Sequence, residues 1–319
     1  MIKNILKQTF FSGTQIYIFF VKIMIPTLIF VRILGDLGGI DYLAKALTPV
    51  MEFLNLGGES ALVWASAILV NLYAGLSIFS NMESLQNLTV AQATTISLLV
   101  LIVHNIFMEM AVVRMVGLKL PFITLFRFIS TVFIAFLFIK TANNMGFYQE
   151  SAKIIIEPQN INSSFELWAI NSLKSLIFLL FVIYLIVFIV EILKAIKITN
   201  LLESTLSPLF RLVGIGKEAS NITVIGLLLG LAYGGAFFIE EIKNKKLRDR
   251  DIYLSISLLC LSHAIIEDTL LMILIGADMF ILVVYRFFIT LFIIWLLSLV
   301  VNNCSDRFFY KYFFHKKIK

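Results

Sequence analysis

Residues 261–278 read LSHAIIEDTLLMILIGAD, which puts His263, Glu267 and Asp268 inside an apolar run long enough to cross a bilayer. An ionisable group at the centre of a membrane helix costs roughly 2.5–3.5 kcal/mol on insertion scales, so three in one run call for a partner or a wet cavity. Composition makes the run a membrane segment: of 319 residues, 60% are hydrophobic and 14% charged, far from the balance of a soluble domain. The net charge of +6 falls mostly in short connections and tails. That is the positive-inside distribution, so it argues for topology and against a nucleic-acid partner. Cys260 and Cys304 form neither a CxxC motif nor a disulfide framework. Lys3 and Lys7 precede a hydrophobic run with no small-residue cleavage site, which reads as a retained first helix.

Working outward, hydrophobic runs at 14–34, 91–117, 121–142, 165–193, 252–276 and 279–301 are each long enough to span. Residues 41–80 and 200–241 differ from them. Each has a short, partly polar arm with a proline (Pro49, Pro208), a glycine-bearing turn and a longer apolar arm. Such stretches read as re-entrant hairpins, tolerated at membrane depth only where protein or a water-lined cavity covers the backbone.

The chain also repeats itself. Adding 159 carries Pro49 to Pro208, Gly57 to Gly216, Glu59 to Glu218, Gly75 to Gly234, His104 to His263, Gly117 to Gly276 and Arg127 to Arg286, and 20 of the 96 positions from 49 to 144 are identical to their mates. The chain has three histidines, and two of them fall in register; Glu109 lands on Asp268, a carboxylate five residues after each. Charge orients the halves. The connection EEIKNKKLRDRD at 240–251 is strongly basic, whereas its mate near 81–91 has no Lys or Arg. The positive-inside rule therefore puts the two on opposite sides. The expected fold is an all-α polytopic membrane protein of two inverted-topology repeats, each with three transmembrane helices and one re-entrant hairpin. Its divisions are 1–142, an outer loop 143–164, 165–303 and a basic cytoplasmic tail 304–319, with both termini inside.

Inverted repeats with broken elements are the architecture of secondary transporters, whose site lies near the midplane between repeats. The order of helix, hairpin with a Gly-Glu tip (LGGESA at 56–61, GIGKEAS at 214–220), polar-interrupted helix and further helix resembles the Gate, or nucleoside-recognition, domain superfamily. That group includes concentrative nucleoside transporters, the membrane part of ferrous iron permeases and spore-maturation-type proteins. The resemblance covers nearly the whole chain and implies a multi-pass protein of the bacterial cytoplasmic membrane. The tip Gly57-Gly58-Glu59-Ser60 lacks the glutamine of the nucleoside transporters, and neither tip has the cysteine of the iron permeases. The likeness is nearest to the small stand-alone Gate proteins.

The candidate substrate- and ion-binding residues are Glu59, Ser60, Asn71 and Tyr73 in the first hairpin, His104, Asn105 and Glu109 after it, Glu218, Ser220 and Asn221 in the second hairpin, and His263, Glu267 and Asp268. His263 is read with Glu267 because residues four apart share a helix face, and each histidine is read with the carboxylate that the repeat keeps five residues after it, Glu109 or Asp268. Arg127 and Arg286 are supporting charges that should each meet a carboxylate or a tip carbonyl. At the tips, Glu59 and Glu218 can cap the following helix. All these residues have a structural alternative as interhelical glue. The expected function is ion-coupled transport of a small polar solute, nucleoside-like or a small organic anion. No cofactor is expected, and the coupling ion is H⁺ or Na⁺; a histidine suits a proton because its ordinary range lies near neutrality. The alternatives are a metal-ion permease, although His104, Met108, Glu109, His263, Glu267 and Met272 show no recognisable metal spacing, and a non-transporting subunit. An enzyme is not expected: Ser262 adjoins His263 without a triad order, and no phosphate-binding loop is present. Partners are the bilayer and the solute, with a second copy or a paired Gate protein left open.

Overall fold

A computed structural model describes residues 48–156 apart from 70, 165–231 apart from 196 and 197, 238–239, 247–315, and scattered positions before 48. In chain order its helices are α1 (Ser60–Leu69), α2 (Leu72–Ser80), α3 (Val90–Ile102), α4 (Ile106–Val116), α5 (Leu120–Met145), α6 (Phe165–Ala195), α7 (Ile198–Leu212), α8 (Lys217–Leu229), α9 (Asp249–Leu261), α10 (Glu267–Met272), α11 (Arg286–Asn303) and α12 (Asp306–Tyr312). Apart from two isolated β-bridges, the regular structure among the described residues is helical. The chain is an all-helical membrane protein.

Two helical segments among the described residues are long and apolar enough to cross a membrane, Leu120–Met145 and Ile281–Asn303, the latter being α11 and the π-helical turn before it. At 1.5 Å per residue the 26 residues of α5 reach about 39 Å, against a hydrocarbon core of about 30 Å. Their amphipathicity is inside out. On α5, Leu125, Ile129 and Phe133 are exposed at four-residue spacing while Arg127 and Thr131 are buried. On α11, Phe288 and Phe292 are exposed while Arg286 and Thr290 are buried, each of these two 159 residues after its α5 mate. Leu173, Ile177, Phe181 and Leu185 make a third exposed apolar stripe on α6. In water such stripes would drive aggregation; hydrocarbon is the solvent that suits them.

The expected spans need three corrections. The runs 91–117 and 252–276 are not single helices. The first is α3 and α4, which make one span only if the bent pair is counted together, and the second is α9, α10 and a 3₁₀ turn, Ile273–Ile275. The apolar arm of the first hairpin is likewise interrupted, between α1 and α2. The first expected span, 14–34, and the basic stretch 241–246 lie mostly or wholly outside the described residues. Of the former, Thr14 shares a 2.6 Å hydrogen bond with Tyr184, and the Tyr17 hydroxyl donates to the Leu176 carbonyl.

The chain divides into two compact units, each drawing on both sequence repeats. The first comprises 1–105, 135–196 and 267–279, and the second 106–134, 197–266 and 280–319. In the first unit, residues 48–53 are helical and end in a Schellman-type turn. There Asn55 is left-handed at φ 57°, and the Leu56 amide donates to the Met51 carbonyl at 2.8 Å. In the second, α7 ends the same way, with Gly214 at φ 87° and the Ile215 amide on the Phe210 carbonyl at 3.0 Å. The two turns are 159 residues apart.

One end of each unit collects a different charge. In the first unit the start of α3 meets the loop after α5: the Val90 amide donates to Glu150, Ala91 to Tyr148, and Asp278 to the Thr94 hydroxyl. In the second, Arg250 near the start of α9 donates to the Cys304 carbonyl and pairs with Asp306 at 2.7 Å, at the foot of α12. Arg248, at the same helix start, is held bidentately by Asp251 at 2.8 Å; that bond raises the guanidinium pKa still further.

Candidate functional site

Both interrupted helices stop at the same repeat position. Helix α3 runs 90–102 and α9 runs 249–261, each residue 159 from its mate. The next residues, Val103 (φ −129°, ψ 96°) and Ser262 (φ −148°, ψ 91°), are extended, and two residues on Asn105 (φ 46°) and Ala264 (φ 43°) are left-handed. Asparagine tolerates that conformation; alanine is strained there by roughly 1–2 kcal/mol. The freed backbone is satisfied by the hairpin arms. In the first unit the Asn105 amide donates to the Ala67 carbonyl of α1 at 2.9 Å, and in the second the Ile265 amide donates to the Leu227 carbonyl of α8 at 3.0 Å.

The arms break beside these points. In the first unit Asn71 separates α1 from α2, its side-chain oxygen accepting from the Ala74 amide at 2.9 Å. In the second, α8 stops at its mate, Gly230, whose φ of 102° and ψ of 164° belong to a region essentially limited to glycine. Asn71 thus spends its oxygen on a helix cap, and Gly230 serves the break. Close packing falls to Gly75, where a Cβ would meet the Val63 carbonyl at 2.9 Å.

The histidines sit in the breaks, and both are buried. Nδ1 of His104 lies 3.0 Å from the Val100 carbonyl, and Nδ1 of His263 lies 2.7 Å from the Leu259 carbonyl, again in register. A carbonyl only accepts, so Nδ1 carries hydrogen and donates to it. In the first unit Nε2 of His104 faces Asp268 at 3.8 Å, and in the second Nε2 of His263 faces Glu109 at 3.4 Å. Each of these two contacts joins a histidine of one repeat to a carboxylate of the other. The four-residue face linking His263 to Glu267 does not exist, because residues 262–266 are not helical.

Glu109 also binds Arg127 at 2.5 Å, which meets the expectation for that arginine. With Arg127 wholly buried, Arg127 and Glu109 in the second unit are a desolvated ion pair that removing either member would unbalance. In the first unit the Tyr73 phenol lies within the electrostatic reach of Glu267 and Asp268, so the acids at the start of α10 gather with His104 and a tyrosine. Arg286 is fully buried on α11, the mate of Arg127.

The hairpin tips stand apart from the histidines. Glu59 and Ser60 lie at the start of α1, about 12 Å by helix rise from Ala67, which meets the break. In the first unit Asn55, in the tip, accepts from Gln92 in the first turn of α3; in the second, a Cβ on Gly216 would lie 2.6 Å from Asp251 in the first turn of α9. The tips are therefore level with helix starts and not with the breaks. Glu218 is exposed in the first turn of α8, Asn221 lies in the next, and the Ser220 hydroxyl donates to the Gly216 carbonyl of its own helix at 2.9 Å. Sequence reading missed the ends of the four broken helices; the one local hint was Asn105, a residue at ease in the left-handed region.

An all-helical membrane protein with buried histidine–carboxylate pairs at helix breaks is the class so defined. The chain is 27% identical over 271 residues to "Uncharacterized membrane protein YvoD" of Bacillus subtilis (strain 168), covering 83% of this chain and 85% of that protein. No protein-family model matches the chain, and no solved structure does.

Proposed function

We propose that the protein is an ion-coupled secondary transporter of a small polar solute, built as two inverted Gate-like repeats in the bacterial cytoplasmic membrane with both termini inside. The observation that carries this reading is the pair of half-sites, one in each unit. Each has a histidine fixed through Nδ1 at a helix break, with Nε2 facing a carboxylate. A structural cluster has no need of such breaks. Buried main-chain interruptions leave helix ends that bind polar groups and ions, the device of transporters with discontinuous helices. Inversion is supported by the charge difference between the mates 81–91 and 240–251. The working residues are His104, Asp268, Glu267 and Tyr73 in the first unit and, separately, His263 and Glu109 in the second, where Arg127 holds Glu109; the coupling ion is H⁺, bound at Nε2.

The test has two stages. A thermal-shift screen of the purified protein against nucleosides, nucleobases and small carboxylates identifies a ligand, which stabilises by RT ln(1 + [L]/Kd). Uptake of that ligand into proteoliposomes is then driven by a pH gradient or a sodium gradient. His263→Gln and His104→Gln proteins that stay folded should lose pH-driven uptake. Uptake that requires sodium and ignores pH would keep the transporter and discard the proton, while unchanged pH-driven uptake in both variants would return the histidines to a structural role.

A further inference from the structure

The second unit carries a cleft of about 450 Å³ that the transport reading does not use. It is built where the turn after α4 receives the end of the chain. Gly117 has φ 111°, and a Cβ on it would lie 2.9 Å from the Phe314 ring, so glycine lets the two segments meet. Leu118 and Phe314 form a β-bridge, the Lys119 amide donates to the Phe313 carbonyl at 2.9 Å, and the His315 amide donates to the Gly117 carbonyl at 2.8 Å. Arg250 fixes the other end of α12 through Asp306, and Ser305 caps it. The result is a short aromatic helix held rigidly across the start of α5.

The cleft walls are Pro121, Phe122, Leu125, Phe308 and Tyr312, with Lys119 and Lys311 beside them and no acidic residue among them. Lys119 donates one of its three hydrogens to the Lys311 carbonyl at 2.7 Å, leaving two, and the Lys311 ammonium rests 4.8 Å from the centre of the Tyr312 ring. The apolar side is open: Leu125 is 60% exposed and begins the lipid-facing stripe that continues through Ile129 and Phe133. The cleft thus joins hydrocarbon at one end and two cations at the other. Its end of the unit also carries Arg114 and Arg307, and the chain closes with Lys316, Lys317 and Lys319.

We propose that this cleft binds one anionic phospholipid, its head-group phosphate on Lys119 and Lys311 and an acyl chain laid from Leu125 along the α5 stripe. A basic pocket at the membrane surface with an apolar floor matches both parts of such a molecule. A free phosphate would leave the apolar walls unused, and a neutral lipid would leave the cations unused.

The experiment is native mass spectrometry of the full chain released from nanodiscs of phosphatidylglycerol and phosphatidylcholine in equal amounts, with thermal midpoints measured alongside. One phosphatidylglycerol should be retained in preference to phosphatidylcholine, and Lys311→Gln should weaken that retention about fivefold, the effect of one lysine at a membrane surface. Leu125→Trp, which fills the apolar end, should lower it without altering charge. Should Lys119→Gln undock α12 by losing its bond to the Lys311 carbonyl, Lys311→Gln still decides, since no backbone bond involves its side chain in the contacts above. Equal retention of both lipids, retention unaffected by Lys311→Gln and Leu125→Trp, or equal stabilisation by glycerol phosphate alone would each overturn the proposal.

Discussion

Glu109 is asked to do two things at once, neutralising a guanidinium with no exposed surface and facing Nε2 of His263. A buried pair is strongly destabilised when one partner is removed, by roughly 3–5 kcal/mol, because the survivor keeps its desolvation cost. Arg127→Leu and Glu109→Gln should therefore each lower the thermal midpoint sharply in detergent, and the double variant should lie above the sum of the two losses. Strict additivity would mean that the contact carries no coupling. Ala264 gives a test of opposite sign. Its φ of 43° is costly for a residue with a Cβ, so Ala264→Gly should stabilise by about 1 kcal/mol and Ala264→Val should destabilise, read from the same unfolding curves. If glycine there melts lower than alanine, the break is not strained.

At the scale of elements, the repeat offset was legible because rare residues kept their register, and helix limits, Schellman turns and left-handed residues recur at that same spacing of 159. The breaks at 103–105 and 262–266 were not legible. Neither holds Gly or Pro, and apolar residues resume directly after the polar ones in both, so no breaker marked a helix end. The missing face between His263 and Glu267 followed from this blindness, since a spacing of four residues implies a shared face only while the helix continues. The tips were legible as turns, but their depth was not, because it is set by what they pack on, Gln92 and Asp251. Glycine substitutions separate turns that need glycine from those that do not. Gly57 has no atom within 4 Å of a built Cβ, whereas Gly117 has both a positive φ and the Phe314 ring in the way. Gly57→Ala should leave stability unchanged to within about 0.5 kcal/mol, and Gly117→Ala should release α12 to limited proteolysis. Equal protease resistance in the two variants would show that α12 docks without the turn.

For the whole molecule, each unit draws on both repeats and sets a histidine of one beside a carboxylate of the other. Equivalent helix starts also lie in different charge surroundings. The start of α3 meets the loop that carries Glu150 and Lys153, and Asp278 bonds to Thr94 in its next turn, whereas the start of α9 carries Arg248 and Arg250. The positive-inside rule weighs lysines and arginines in short connections, and the proposed inverted topology accordingly predicts the α9 end in the cytoplasm and the α3 end outside; the lone Lys153 sits on a longer loop, where the rule is weak. Single cysteines at Asn87 and Lys153, in a chain with Cys260 and Cys304 replaced by alanine, should react with an impermeant maleimide on intact cells. Cysteines at Lys246, the repeat mate of Asn87, and at Arg307 should react only after permeabilisation. The pair 87 and 246 decides the matter. Labelling of both from one side would make the repeats parallel, and a transporter of parallel repeats would need a different route to alternate access than two halves inserted in opposite senses.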